Sequence, residues 1–226
     1  ARPIGCATRP CLRWLDMWMS LEQRSVKTGF ISYPVPARNR SIARQSLLYR
    51  RQNRDVAAQG EALPRIVASI EAWLAPRFQP GAVLGAYWAM RGEPVLQAAC
   101  AQWHEQGWTI ALPRVVARDA PLAFGRWTPW IAMRAGAFGV MEPDPFEALA
   151  PDLLLVPCVG FDARGYRLGY GGGFYDRTLA QRALPVLGIA YEQDQIDGFE
   201  PEPHDRPLDA VATEAGLHEW TAPGRG

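Results

Sequence analysis

Hydrophobic positions along the chain fall into blocks whose period switches between helical and extended. Leu63, Ile66, Val67, Ile70, Trp73 and Leu74 recur three and four residues apart, which predicts a helix over Leu63 to Phe78 lying on a sheet. Gln79-Pro80-Gly81 ends it, and the apolar run Ala82 to Trp88 reads as a buried strand that stops in a turn over Ala89 to Glu93. Pro94 to Gln106 reads as a helix with Pro94 in its first turn and Leu96, Ala99 and Trp103 inward. Trp108 to Leu112 is the next strand, followed by Pro113-Arg114, so these blocks form a β-α-β unit. Leu122 to Trp127 alternates like an antiparallel edge strand, and Gly136 to Pro143 reads as irregular. Asp152 to Pro157 and Pro185 to Tyr191 are buried strands, with a helix over Tyr175 to Leu184 between them and a last short strand at Asp209 to Thr213. Upstream, Arg40 to Arg54 is a basic helical stretch with Arg40, Arg44 and Arg51 on one face. The alternation predicts a three-layer α/β sandwich with a largely parallel sheet. Ligands of such sheets lie outside the strand C-termini, where Glu93, Arg114, Cys158 to Asp176 and Tyr191-Glu192 fall.

Composition adds bounds rather than identity. A chain of 226 residues, 48% of them hydrophobic, is long enough for one sizeable core, so a single α/β domain is expected over residues 36–226. Residues 1–35 lack periodicity and the apolar core of a secretory signal, and are expected to be a poorly ordered extension outside that domain. The net charge of +1 gives no electrostatic case for nucleic acid or a membrane surface, and no run of about 18 apolar residues exists to span a bilayer. Cys6, Cys11, Cys100 and Cys158 form no CxxC pair, which fits reduced thiols and a cytoplasmic chain. His104, His204 and His218 do not cluster at metal-ligand spacing. Nine tryptophans offer stacking surface, although most are expected in the core.

The stretch Phe161 to Asp176 carries the candidate chemistry. It reads FDARGYRLGYGGGFYD, between a strand and a helix. A strand, a glycine-rich loop and a helix N-terminus are the parts of an anion site, because N–H groups converge and the helix dipole favours negative charge. It is neither a Walker A loop, which closes in Gly-Lys-Ser/Thr, nor the dinucleotide fingerprint. Arg167 can grip a phosphate through two N–H groups. Asp176 either caps the helix or holds Mg²⁺ with substrate phosphate oxygens. Asp205 is either a turn residue or a second carboxylate for that ion. Glu93 is either a first-turn acid stabilised by a helix dipole or an acceptor for ring N–H groups of a heterocycle. Trp88, Phe138, Tyr170 and Tyr175 are aromatic candidates for the walls of a flat site. Cys158 has no histidine beside it in sequence and reads as a small apolar residue.

The run LLLVPCVGFDARGYRLGYGGGFYDR resembles the signature of the 5-formyltetrahydrofolate cyclo-ligase (methenyltetrahydrofolate synthetase) family. The resemblance covers roughly Arg38 to Gly216 and includes the basic helix, Gly92-Glu93 after a strand, Leu112-Pro113-Arg114, a Glu142-Pro143 element and His204-Asp205. It implies a Rossmann-like three-layer fold of the sugar-phosphate isomerase and CoA-transferase type. It also implies an enzyme, expected to act as a monomer on small molecules, with no nucleic acid and no membrane. The implied reaction is ATP-dependent closure of 5-formyltetrahydrofolate, or its polyglutamates, to 5,10-methenyltetrahydrofolate.

 

By matching position, the family's phosphate-contacting lysine and arginine on the first helix fall on Arg40 and Arg44. Arginine at the first of these keeps the charge and changes the geometry. The nucleotide loop maps onto Arg167, Leu168, Gly169, Tyr170, Gly171, Gly172, Gly173, Phe174 and Tyr175, with Phe174 standing where the family has a tyrosine. Arg167, Tyr175 and Asp176 are the implied catalytic residues, and Asp176 and Asp205 the implied Mg²⁺ ligands. Trp88, Glu93, Phe138 and Tyr170 are the implied contacts to the folate. A non-catalytic relative that binds nucleotide or folate is the competing expectation, and a sugar-phosphate isomerase, an acyl-CoA transferase or an RNA-interaction protein are more distant ones.

Overall fold

A computed structural model describes residues 39–220, so the expectation for residues 1–35 lies outside the described residues. Helix α1 (Arg40–Gln52) is capped by Asn39, whose side chain accepts from the Ser41 and Ile42 N–H groups. Helix α2 (Val56–Leu74) follows, then strand β1 (Val83–Gly85), helix α3 (Gln97–Glu105), β2 (Thr109–Val115) and β3 (Leu122–Trp127). The hairpin β4 (Ala132–Ala135) and β5 (Met141–Asp144) and the short β6 (Ala148–Leu149) lead into β7 (Leu153–Pro157). Strands β8 (Gly160–Asp162) and β9 (Arg167–Leu168), helix α4 (Phe174–Gln181), β10 (Val186–Ile189), β11 (Gln195–Ile196), β12 (Ala210–Thr213) and β13 (Gly216–Glu219) complete the described chain.

The main sheet has the order β13-β12-β10-β7-β1-β2-β3-β6. Its centre, β12-β10-β7-β1-β2, is parallel, and β13, β3 and β6 add antiparallel edges. The winding direction reverses between β1 and β7, and that switch opens a crevice at the strand C-termini. Both faces of the sheet are buried, which explains why its central strands read as continuous apolar runs. Leu153 and Leu155 pack with Ile66, Ile70 and Trp73 of α2 and with Trp103 of α3. Leu154 and Val156, pointing the other way, pack with Leu179 of α4 and with Leu184 and Leu208. The three-layer α/β architecture expected from the sequence is therefore present.

Several boundaries differ from the sequence expectation. Helix α2 begins at Val56 rather than Leu63, capped by the Asp55 side chain, and it carries Pro64 in its interior. The apolar period that placed the expected start is carried only by the second half of the helix, while Val56 to Glu61 has no such stripe. Helix α3 begins at Gln97, and Pro94 lies in the preceding loop, where its carbonyl accepts from the Tyr87 hydroxyl at 2.7 Å. Strand β2 continues through Pro113 because β3 pairs with it there, while β1 ends opposite Ala111. The β4–β5 hairpin replaces the irregular segment expected at Gly136 to Pro143. Part of the glycine-rich stretch is itself strand: β9 and β11 flank β8 in a small separate sheet.

That small sheet rests on α1 through a cluster of Ala43, Leu47, Val159, Leu168, Ile196 and Phe199. The same face of α1 carries Arg51, which is fully buried. Its Nη2 donates to the Cys158 carbonyl, to the Val159 carbonyl at 3.3 Å and to Asp194 Oδ2 at 2.8 Å. Arg54 Nη2 reaches the other Asp194 oxygen at 3.1 Å. Arg51 thus joins α1 to the turn after β7, and the buried Asp194 carboxylate joins it to the turn after β10. Removing one partner of a buried pair strands the remaining charge, so Asp194→Ala is expected to lower the unfolding free energy by about 3–5 kcal/mol. Urea titration checks this; a loss below about 1 kcal/mol would contradict the role given to this carboxylate.

Candidate active site

A cleft of about 810 Å³ lies at the switch point. The loop after β1 supplies Tyr87, Trp88, Met90, Arg91 and Glu93, and the loop after β2 supplies Arg118 and Asp119. The opposite wall is Arg167, Gly169 to Gly173 and the first turn of α4, from Phe174 to Asp176. Arg40, Ser41 and Arg44 enter from α1, Glu202 to Asp205 from the loop before β12, and Phe138 from the hairpin tip.

The glycine loop is shaped by backbone that side chains rarely adopt: Gly171 has φ +93° and Gly173, the N-cap of α4, has φ +65°. A Cβ on Gly171 would also touch the Arg44 guanidinium at 3.4 Å. Arg44 Nε donates to the Gly169 carbonyl at 2.6 Å, and Arg177 Nη2 donates to the Gly172 carbonyl at 2.6 Å. Two arginines therefore hold the loop from opposite ends. Arg44 has no carboxylate partner among the described residues, which leaves its remaining N–H groups suited to a phosphate.

Two other cations of the cleft, Arg167 and Arg40, are paired with carboxylates. Arg167 is ion-paired with Asp176 and donates to the Arg206 carbonyl at 3.2 Å. Arg40 is ion-paired with Asp205, and Glu202 Oε1 lies 3.8 Å from the same guanidinium. Burial alone would raise the Asp205 carboxyl, but the Arg40 guanidinium and the Glu202 N–H hold it below the usual range. Asp176 sits in the first turn of α4 but is not its cap; that position is Gly173. Asp205 does close a turn, accepting from the Glu202 N–H at 2.8 Å, and it faces the cleft as well.

Glu93 is the most perturbed acid in the cleft. It is only 2% exposed and belongs to the loop before α3, so the expectation of a first-turn helix acid fails. Its Oε2 accepts from the Met90 N–H at 2.9 Å. Burial pushes its carboxyl up to about 7, against the pull of the Met90 N–H, the Tyr170 hydroxyl, Arg51 and Arg91. Tyr175 lines the cleft, and burial pushes its hydroxyl up, so it stays protonated and able to donate. Phe138 is exposed with φ +58° and lies 5.8 Å from Phe174, ring centre to ring centre. Arg91 stands over the Tyr170 ring at 5.4 Å.

A family model described as the 5-formyltetrahydrofolate cyclo-ligase family matches residues 37–214. The chain belongs to the 5-formyltetrahydrofolate cyclo-ligase family. A 5-formyltetrahydrofolate cyclo-ligase of Mycolicibacterium smegmatis is 32% identical over 189 residues, covering 78% of this chain and 94% of the relative. The solution structure of the Aquifex aeolicus 5,10-methenyltetrahydrofolate synthetase superposes with a TM-score of 0.71 at 26% identity, over 83% of this chain and 95% of that one. A Mycoplasma pneumoniae 5,10-methenyltetrahydrofolate synthetase shares the fold with a TM-score of 0.63 at 24% identity, over 77% and 98% of the two chains.

Most residues that the family resemblance singled out meet in this one cleft: Trp88, Glu93, Phe138, Arg40, Arg44, Arg167, Gly169 to Asp176 and Asp205. Leu168 is the correction. Its side chain is fully buried beside Leu47 and Ile196 and packs the core, because alternation along β9 turns it away from the cleft that Arg167 faces. Sequence reasoning missed Arg91, Arg118 and Glu202 as cleft residues; Glu202 sits in a loop singled out only for Asp205, and Arg118 carries no local signal.

The raised Glu93 carboxyl has a stability consequence. Between its ordinary pKa of 4.5 and about 7 the unfolded chain has released this proton while the folded protein keeps it. Stability from this group is therefore present at low pH and lost as pH rises through about 7. Glu93→Gln is expected to gain on the parent protein by up to ~3 kcal/mol between about pH 4 and about pH 8. Unfolding titrations across that range check it, and a difference that stays flat with pH would show that Glu93 ionises freely.

Proposed function

We propose that this chain couples ATP to the cyclisation of 5-formyltetrahydrofolate, giving 5,10-methenyltetrahydrofolate, ADP and phosphate. The observation that carries this reading is the facing of two unlike walls across one cleft. One wall is an anion cradle of glycine N–H groups with Arg44 and Arg167. The other is a buried carboxyl, Glu93, beside Trp88 and Tyr170, suited to the N–H groups of a pterin ring. A substrate spanning them places its formyl oxygen beside a nucleotide's terminal phosphate.

In the proposed first step the formyl oxygen attacks the γ-phosphorus, a P–O bond forms, and the bond to the ADP oxygen breaks. The electron pair leaves on ADP. In the second step the neighbouring 10-nitrogen attacks the activated carbon, the carbon–oxygen bond breaks, and phosphate departs with the oxygen; the 10-nitrogen's proton is lost. The protein's share is positioning and charge stabilisation. Arg167 and Arg44 neutralise charge on the transferring group, the glycine N–H groups hold its oxygens, and the Tyr175 hydroxyl donates. Glu93 and the aromatic walls orient the ring.

Among the described residues no group of three or more His, Cys, Asp or Glu side chains gathers to hold a metal. Mg²⁺ in nucleotide sites takes one or two carboxylates together with phosphate oxygens and water. Asp176 and Asp205, both on the cleft wall, fit that mode and would hold the ion, which would supply charge neutralisation at the phosphates. The protein is further proposed to act as a cytoplasmic monomer on small molecules. No described helix is long and apolar enough to cross a membrane.

Incubation with folinic acid, ATP and Mg²⁺ is expected to produce the near-ultraviolet absorbance of the methenyl product. Absence of an ATP-dependent signal would favour a relative that binds without turnover. Arg167→Ala and Asp176→Ala are each expected to lower kcat by about 10²–10³ while the thermal transition stays cooperative. Undiminished turnover in both purified variants would refute the assignment of this wall.

A further inference from the structure

Several buried polar groups in and beside the cleft wall have few partners or none, and they lie together. Arg51 is fully buried, yet only its Nη2 is engaged; its Nε and Nη1 make no hydrogen bond. The Tyr170 hydroxyl is buried and makes no hydrogen bond of ordinary geometry, although it stands close enough to Glu93 and Arg51 to interact with both. Glu93 has one protein N–H on its carboxyl, that of Met90. Leaving such groups unpaired is expensive, so their gathering at one place calls for a reason.

The backbone brings these groups together. Gly92, with φ +77°, rides directly over the Arg51 stem: a Cβ there would meet Arg51 Cγ at 2.9 Å and its carbonyl oxygen at 3.2 Å. Glu93 follows immediately. Tyr170 belongs to the glycine loop on the opposite wall, and its hydroxyl interacts with both Glu93 and Arg51.

We infer that the Tyr170 hydroxyl bridges Arg51 and Glu93, accepting from the arginine and donating to the carboxylate, so that Arg51 acts as a positioning residue for Glu93. The bridge joins the two walls through one hydroxyl. It fixes the carboxylate that the proposed function assigns to the pterin ring, and to that extent rests on that reading. The charged and titratable groups facing Glu93 are Arg51 from α1, Arg91 from its own loop, Tyr87 after β1, Tyr170 from the glycine loop and Tyr175 from α4. The two arginines favour the ionised carboxylate, while burial opposes it.

Infrared difference spectroscopy of the carboxyl band that disappears in Glu93→Gln follows this one group without any ligand. In the parent protein its midpoint is expected near 7. Tyr170→Phe removes the bridging oxygen alone, and Arg51→Met removes the cation. Each is expected to raise the midpoint by about one pH unit. The affinity for folinic acid is then expected to weaken about fivefold at about pH 7, with the gap closing by about pH 9. A midpoint that stays in place or falls in Tyr170→Phe overturns the bridge, and this variant decides the matter alone if Arg51→Met does not fold. A midpoint that rises in a protein that does not bind folinic acid keeps the bridge and overturns the proposed function instead.

Discussion

The site depends on one buried carboxylate. Asp194 takes Arg51 on one oxygen and Arg54 on the other, and Arg51 goes on to the carbonyls at the end of β7. Burying two guanidinium groups is unfavourable unless their charge and donors are answered, so these contacts fix the C-terminal end of α1 against the sheet. Arg54 also lies over the Tyr191 ring at 3.7 Å, which ties the same helix end to the turn after β10. From Arg51 back to Arg40 the helix rises roughly 16 Å, three turns in which Arg44 and Arg40 come round to the same side. A helix anchored at one end thereby carries two cations into the cleft at the other.

The core of the fold was legible because its physics is local. The leucines of β7 and the period of α2 each bury one or two faces, and burial leaves a periodic mark in sequence. Boundaries were less legible where partners far along the chain decide them. Nothing within Trp108 to Val115 announces that β3 will extend β2 past Pro113. Strands β8, β9 and β11 are two or three residues long and persist because they pair with one another and cover α1. No period can be read from so short a run.

The candidate site was legible for a different reason. Glycines with positive φ, an arginine and two carboxylates can be seen as a set, and the family resemblance supplied their grouping with Glu93 and Phe138. What could not be seen was the company each side chain keeps. Arg51 shares a face with Arg40 and Arg44 in sequence, yet it points into the interior while they face the cleft. Leu168 sits inside the glycine-rich motif that the resemblance assigns to the nucleotide, and it packs the core. The difference is set by the position of each residue along α1 and β9 relative to the small sheet.

The pairing of Arg40 with Asp205 and of Arg167 with Asp176 means that an incoming anion meets few bare cations. Binding there is an exchange of partners: each guanidinium taken by a phosphate releases a carboxylate that has lost its counter-charge. A lone monoanion has nothing to offer those carboxylates. A polyphosphate that arrives with its own divalent cation answers both halves of each pair at once. On the proposed reading, discrimination between anions would reside in the acidic residues of the cleft as much as in its basic ones.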